Sequence, residues 1–175
     1  MATGDLTVQV PLSRGLFALI DEADADLILP FKWYASRPRQ ALHTSYAART
    51  KTVAGKPRIF YLHRTLLGLT DRRIHVDHAN RDGLDNRRVN LRIATPSQNH
   101  ANMAKQLTIG GRPSSSIYKG VTWGKGSGQW LAQIMFRGQR KHLGCFANEL
   151  DAAAAYNAAA VATFGQFART NKDTP

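Results

Sequence analysis

The sequence predicts an α+β chain, and three patterns predict it. A β-rich stretch occupies residues 1–58, a strand–loop–strand–helix order runs through residues 74–104, and residues 115–171 hold three strand patterns followed by one alanine-rich helix. In chain order this is a β-rich N-terminal part, a small module of two strands and a helix, and a three-stranded antiparallel sheet covered by one helix.

The first region earns its assignment from period-two alternation in Leu6-Thr7-Val8-Gln9-Val10-Pro11-Leu12 and in Phe31-Lys32-Trp33-Tyr34-Ala35. Between them, residues 15–29 carry Asp21, Glu22, Asp24 and Asp26. That cluster lacks the central glycine and terminal glutamate of an EF-hand loop, so it reads as a solvated turn or helix start. The run from Ile59 to Gly68 reads as a strand feeding a short helix with a glycine stop. In the second region, Ile74–Asp77 and Val89–Ile93 are strands. Thr95, Pro96 and Gln98 supply an N-cap, a proline at the first helical position and a capping-box partner for a helix through about Ala104. Residues 105–114 read as a linker, because the Gly110–Ser116 stretch has the composition of exposed, flexible chain.

In the third region, Tyr118–Trp123, Gln129–Phe136 and Arg140–Phe146 are strands joined by glycine-containing turns. A helix from Asn148 to Phe164 follows. Asn148 caps it, and Ala152, Tyr156, Ala159, Ala160 and Thr163 form its buried face.

Composition bounds the function. The chain has 175 residues, 43% of them hydrophobic, which supports one compact domain or two small ones and argues against wholesale disorder. Its net charge of +12 and pI near 10.5 favour a polyanionic partner, nucleic acid before an anionic membrane surface. No stretch reaches the roughly 18 apolar residues of a membrane helix, so no membrane partner is expected. The single cysteine, Cys145, excludes a disulfide framework within the chain and a cysteine-rich zinc site. It sits in an apolar run and reads as a small core residue. These features, with no signal-peptide pattern, lead to the expectation of a cytoplasmic protein.

The densest chemistry lies between Val76 and His100. Asp77 and His78 are adjacent, Asn90 and Asn99 follow, and arginines surround them. Hydrolysis of a phosphodiester needs a proton acceptor, a charge sink for the leaving 3′ oxygen and anchors for the phosphates. His78 suits the first role because imidazole titrates near neutrality. Asp77 and the amide oxygen of Asn99 suit a hard divalent cation, Mg2+ first and Mn2+ second. Adjacent residues on a strand face opposite ways, so Asp77 and His78 share a site only if the strand ends or bends there. Arg64, Arg81, Arg87, Arg88 and Arg92 are the phosphate anchors, since guanidinium forks bind phosphate oxygens in pairs.

This segment resembles the phage-type HNH homing endonucleases in their Asp-His…Asn…Asn subtype. The resemblance rests on Asp77-His78, Gly83-Leu84-Asp85-Asn86-Arg87-Arg88, Asn90-Leu91-Arg92, Asn99 and the upstream Leu62-His63-Arg64. It implies a ββα-metal module over residues 59–104, with His78 as general base, Asn90 bracing the loop and orienting His78, and Asp77 and Asn99 as metal ligands. The implied products are a 5′-phosphate and a 3′-hydroxyl. His63 reads as bracing the site, touching phosphate, or simply as a satisfied, partly buried histidine.

Residues 115–171 resemble the AP2 DNA-binding domain through Tyr118-Lys119-Gly120-Val121, Trp130-Leu131-Ala132-Gln133-Ile134, Leu143-Gly144-Cys145-Phe146 and the alanine-rich helix. That resemblance implies double-stranded DNA as partner, read by Lys119, Thr122, Lys125, Gln133, Arg137, Arg140 and His142. The expectation is a metal-dependent DNA endonuclease of homing type, monomer or weak dimer, targeted by its C-terminal domain. The rival reading is a sequence-specific DNA-binding regulator whose HNH module is inactive.

Overall fold

A computed structural model describes residues 6–37, 44–109 and 111–171; Gly110 of the expected linker, and the ends of the N- and C-terminal regions, lie outside them. The protein is mixed α and β, with small antiparallel sheets and few helices. It divides into two compact units, Met1–Ala94 and Thr95–Pro175. No helix among the described residues is long and apolar enough to cross a membrane.

In the first unit, β1 (Thr7–Pro11) pairs antiparallel with β2 (Phe17–Asp21), Val10 facing Ala18 in the register. The turn or helix start read at Asp21, Glu22, Asp24 and Asp26 falls in a 3-10 turn, Glu22–Asp24, and the helix after it, with Asp24 buried rather than solvated; sequence reading placed no strand where β2 lies. Its Ala18 and Ile20 are fully buried, and the acids begin only at its last residue, Asp21. A neighbouring strand gave that short alternation its ladder, while the acid-rich composition hid it. A 3-10 turn then leads into α1 (Ala25–Ile28). The next strand, β3 (Tyr34–Ser36), starts later than expected. Trp33 is buried ahead of it and donates its indole N–H to the Ile28 carbonyl at 2.9 Å, which ties this stretch to α1.

Strand β3 pairs with β4 (Tyr46–Val53), and β4 with β5 (Lys56–Tyr61). The β4–β5 turn uses Ala54 and Gly55, both at positive φ (49° and 74°), as a tight hairpin requires. Strand β5 runs directly into α2 (Leu62–Leu66), and Gly68 follows at φ 61°. Strands β6 (His75–His78) and β7 (Leu91–Ala94) form the last hairpin, with Asp77 opposite Arg92 and His78 opposite Leu91. Ile20, Ile28 and Leu62 anchor one core beneath these elements; each such side chain contributes about 1.5–3 kcal/mol of burial.

The second unit opens with α3 (Pro96–Asn102). Its capping box is the expected one: Thr95 accepts from the Gln98 N–H, and the Gln98 side chain accepts from the Thr95 N–H. The stretch read as a linker contains a minimal hairpin, β8 (Thr108–Ile109) with β9 (Arg112–Pro113). Beyond it, β10 (Val121–Gly124), β11 (Gln129–Phe136) and β12 (Gln139–Phe146) form an antiparallel sheet in sequential order. The helix α4 (Glu149–Phe164) packs on this sheet, capped by Asn148, which accepts from the Leu150 N–H at 2.8 Å.

Two expectations change in this unit. The buried face of α4 is Ala152, Ala153, Tyr156, Ala160 and Phe164, whereas Thr163 is exposed. Alanines let the helix lie close to the sheet, so the largest ring at its C-terminal end, Phe164, sets the stripe and stacks edge-on with Phe136. Cys145 is exposed rather than core. A bulge between Ala132 and Gln133 leaves Leu143 outside the register, and Cys145 pairs with Leu131 on the sheet face away from Val121 and Ala132.

Candidate active site

Strand β6 ends at His78, which is how two neighbouring residues come to be buried at one place: Asp77 and His78 are each 5% exposed. The chain then turns into the 79–87 loop, which is hydrogen-bonded almost throughout. Asn90 spans it, accepting from the Asn80 N–H at 2.9 Å and donating to the Asp85 carbonyl at 2.7 Å. Asn80 accepts from the Asp82 N–H, and Asp82 from the Leu84 N–H, both at 2.9 Å. These are the local side-chain turns for which Asn and Asp are suited. A parallel bridge, Leu19 N–H to Leu84 O and Asn86 N–H to Leu19 O, both 2.8 Å, fastens the loop to β2.

The loop also lies tightly against β4. A Cβ on Gly83 would stand 2.5 Å from the Ser45 carbonyl oxygen and 2.7 Å from the Tyr46 ring. Gly83→Ala should therefore cost about 1–3 kcal/mol through overpacking. Thermal melts of the variant check this; an unchanged melting temperature would show that the loop can yield.

Asn86 is fully buried and meets His78. Its Nδ2 donates to the Leu84 carbonyl at 2.9 Å, which assigns its other terminal atom as the oxygen facing His78 Nε2 at 3.4 Å. An acceptor there suits the tautomer that carries its proton on Nε2. Burial pushes the His78 pKa below the ordinary histidine value; the Asn86 hydrogen bond and the carboxylates of Asp77, Asp82 and Asp85 oppose that shift. A histidine that stays uncharged at neutral pH is suited to accept a proton.

Aromatic rings enclose it. Tyr46 stands 5.7 Å from His78 and 5.7 Å from His63, centroid to centroid, and Tyr61 stacks on His63 at 5.5 Å. Burial raises the Tyr46 pKa, with Asp77 and Tyr61 adding to the effect. His63, in the first turn of α2, meets His78 edge to face at 5.2 Å and 90°. The option of a satisfied histidine is overturned here: among the described residues His63 Nδ1 is buried without a hydrogen-bond partner, a loss of about 1–3 kcal/mol.

Burial first, then His78 and Arg64, push the His63 pKa down to about 3. The folded protein thus keeps His63 neutral where the unfolded chain, titrating near 6.5, already binds a proton. Its contribution is intact above about pH 6.5 and is lost as pH falls toward 3, by up to about 1.4 kcal/mol per pH unit. Denaturant titrations at pH 7, 6 and 5 should show this decline, with a shallower slope for His63→Phe.

Asp77 is gripped by Arg92 from across the hairpin: Nε and one terminal nitrogen donate to Oδ2 at 2.7 and 2.6 Å. Asn99 stands on α3, in the second unit, where its N–H donates to the Thr95 carbonyl at 2.9 Å. Among the described residues, no three His, Cys, Asp or Glu side chains cluster to hold a metal ion. Asp77 offers a carboxylate and Asn99 an amide oxygen, ligand types that a hard cation of the magnesium type accepts. Such ions take only one or two protein carboxylates and fill their shell with water and phosphate oxygens.

The arginines expected to anchor phosphate are largely engaged within the protein. Arg87 forks onto Asp85 at 2.8 and 2.7 Å, and Arg88 onto the buried Asp24 at 2.9 and 2.7 Å. Arg64 donates to the carbonyls of Ile74 and Asp71 at 2.6 and 2.5 Å. Arg81 sits in the loop at φ 71°. The acids near residue 21 thus explain themselves as partners of Arg88, whose backbone N–H also donates to Asp21 at 2.7 Å.

In the second unit, Lys119 donates to the carbonyls of His100, Ala101 and Met103 and so closes the C-terminal end of α3. Thr122, Gln133, Arg140 and His142 share the sheet face opposite to Val121 and Ala132, as the cross-strand pairs Gln133–His142 and Met135–Arg140 require. Lys125 lies in the β10–β11 turn. Arg137 lies in the β11–β12 turn at φ 49°, its guanidinium 5.1 Å over the Phe136 ring.

Residues to which the sequence assigned no function also come forward. The outer β4–β5 ribbon, residues 50–60, is exposed throughout. The register pairs Arg49 with Phe60, Lys51 with Arg58 and Val53 with Lys56, so Arg49, Lys51, Lys56 and Arg58 share one face. The signal was the period-two spacing of these cations, legible once the two strands are paired.

No protein-family model matches the chain. It is similar to a protein of Acanthamoeba polyphaga mimivirus named "Uncharacterized HNH endonuclease L560", with 29% identity over 161 residues, covering 91% of this chain and 76% of that protein.

Proposed function

We propose that the protein is a metal-dependent HNH endonuclease that hydrolyses phosphodiester bonds in double-stranded DNA, guided by an AP2-like C-terminal unit. The observation that carries this reading is the buried His78, kept uncharged by burial and hydrogen-bonded to Asn86 at the end of β6, one residue from the Arg92-bound Asp77. The similarity to a protein named HNH endonuclease supports it. So does the order of β6, β7 and α3, which is that of a ββα-metal module. Three antiparallel strands with a covering helix agree with the AP2 resemblance.

His78 takes the proton of the attacking water, and Asn86 holds its ring through the contact at Nε2. Asn90 ties both ends of the loop and so holds Asn86 and Asp85 in register. Asp77 is the residue of the first unit that would hold the divalent cation, Mg2+ first; when bound, it would supply positive charge for the phosphate and the leaving 3′ oxygen. Arg92 fixes the Asp77 carboxylate in place. The basic face of the β4–β5 ribbon and the open face of the C-terminal sheet suit a duplex, whose major groove admits strands of either kind.

The test is conversion of supercoiled DNA carrying the source genome's sequence, with Mg2+ or Mn2+ and with EDTA. Metal-dependent nicking supports the proposal. Folded protein that shifts DNA and never cuts any segment of that genome would leave the DNA-binding regulator in its place.

A further inference from the structure

The unspent positive charge of the first unit does not lie where its arginines are densest. Arg64, Arg87, Arg88 and Arg92 each hold an acceptor of the fold. Arg49, Lys51, Lys56 and Arg58, on one face of the β4–β5 ribbon, hold none among the described residues. From Tyr46 to Tyr61 the chain carries these four cations and no acid. Such a face attracts a polyanion along its length.

Arg49 differs from the other three. Its guanidinium lies over the Phe31 ring, 3.7 Å from the centroid, with Trp33 at 5.4 Å and Phe60, its cross-strand neighbour, at 5.9 Å. Its Nε is buried without a hydrogen-bond partner among the described residues. A methionine would cover the same rings and strand no donor. What an arginine adds is a planar fork, flattened against the rings and ordered before any ligand arrives. The paired oxygens of a phosphodiester match the spacing of that fork. Arg49 is three strand residues from Tyr46, whose ring stands 5.7 Å from His78. Three residues are about 10 Å of strand, the rise of about three base pairs. We propose that Arg49 is a phosphate-binding residue for duplex DNA, preset by Phe31, Trp33 and Phe60, and that Lys51, Lys56 and Arg58 continue the contact along the backbone; this rests on the reading of the protein as a DNA endonuclease.

The test titrates the full chain with a short mixed-sequence duplex at several salt concentrations, in EDTA so that nothing is cut. Arg49→Met is expected to melt at or above the wild-type temperature and to bind about tenfold more weakly. Its slope of log affinity on log salt should be shallower by about one. Arg49→Lys and Phe31→Leu should keep the slope, because the charge remains, and still weaken binding, because the fork or its support is gone. The 15N–1H signal of Arg49 Nε, identified by its absence from Arg49→Met, should shift when the wild type binds the duplex. Wild-type affinity and slope in Arg49→Met, or an Arg49 signal that the duplex leaves unmoved, would overturn the inference. So would wild-type affinity in both Arg49→Lys and Phe31→Leu, which would reduce Arg49 to diffuse charge. Should Phe31→Leu not fold, Arg49→Lys decides that arm alone. Wild type that does not bind the duplex would end the endonuclease reading and this one together. Wild type that binds and nicks with Mg2+, matched by every Arg49 variant, would remove Arg49 alone.

Discussion

His78→Ala is expected to lower metal-dependent nicking by roughly 10²–10⁴-fold, the usual contribution of a positioned general base. The size follows from how the ring is held. Its Nε2 faces the Asn86 oxygen, its charge is suppressed by burial, and it sits at the end of a strand whose next residues are bound into a closed loop. Nothing in that arrangement is needed to bind a duplex, so DNA affinity should stay within about twofold. Gel shifts and single-turnover nicking on the same preparation read both quantities. Equal loss of binding and cutting would instead mean that the loop had collapsed, and unchanged cutting would remove His78 from the chemistry. Above the pH at which the base is deprotonated the wild-type rate should level off, whereas the residual rate of the variant should keep rising with hydroxide.

Arg92→Ala is expected to give the largest loss of stability, about 3–5 kcal/mol, because it leaves the Asp77 carboxylate buried without its cation. Asp77 is 5% exposed, and Arg92 donates to it through two nitrogens at 2.7 and 2.6 Å. Replacing both members, Asp77→Asn with Arg92→Met, should recover much of that loss, since no uncompensated charge remains. Urea denaturation of the two single variants and the double variant forms the cycle. Strict additivity would show that the pair is not coupled. A comparable experiment on the exposed Arg73–Asp71 pair should show a far smaller effect, because a surface pair seldom reaches 1 kcal/mol.

The parts of the fold that were legible are those that local rules control. The capping box at Thr95 was readable because N-cap chemistry is contained within four residues. The three C-terminal strands and α4 were readable because alternation and glycine turns recur within a short span. Strand β2 was hidden because its ladder comes from β1 and its apolar residues run straight into an acid-rich turn, where the partner of Asp24, Arg88, lies some 60 residues away. Cys145 was misjudged because a bulge in the ladder with β11 decides its face.

The sequence by itself determined the chemistry available to this protein. It carries the basic charge, the Asp-His pair, the two asparagines and the order of a strand–loop–strand motif before a sheet with one helix. Only tertiary structure decided how those groups are deployed. Which arginines are engaged by carboxylates depends on side chains that meet across the fold, as Arg88 meets Asp24 and Arg92 meets Asp77. The contact at His78 Nε2 depends on Asn86, whose own orientation is set by the Leu84 carbonyl. The burial of His63 depends likewise on rings brought to it from Tyr46, Tyr61 and His78. Residue types carry donors, acceptors and charge, but hydrogen bonds and burial act only at contact distance, and the folded chain sets those distances.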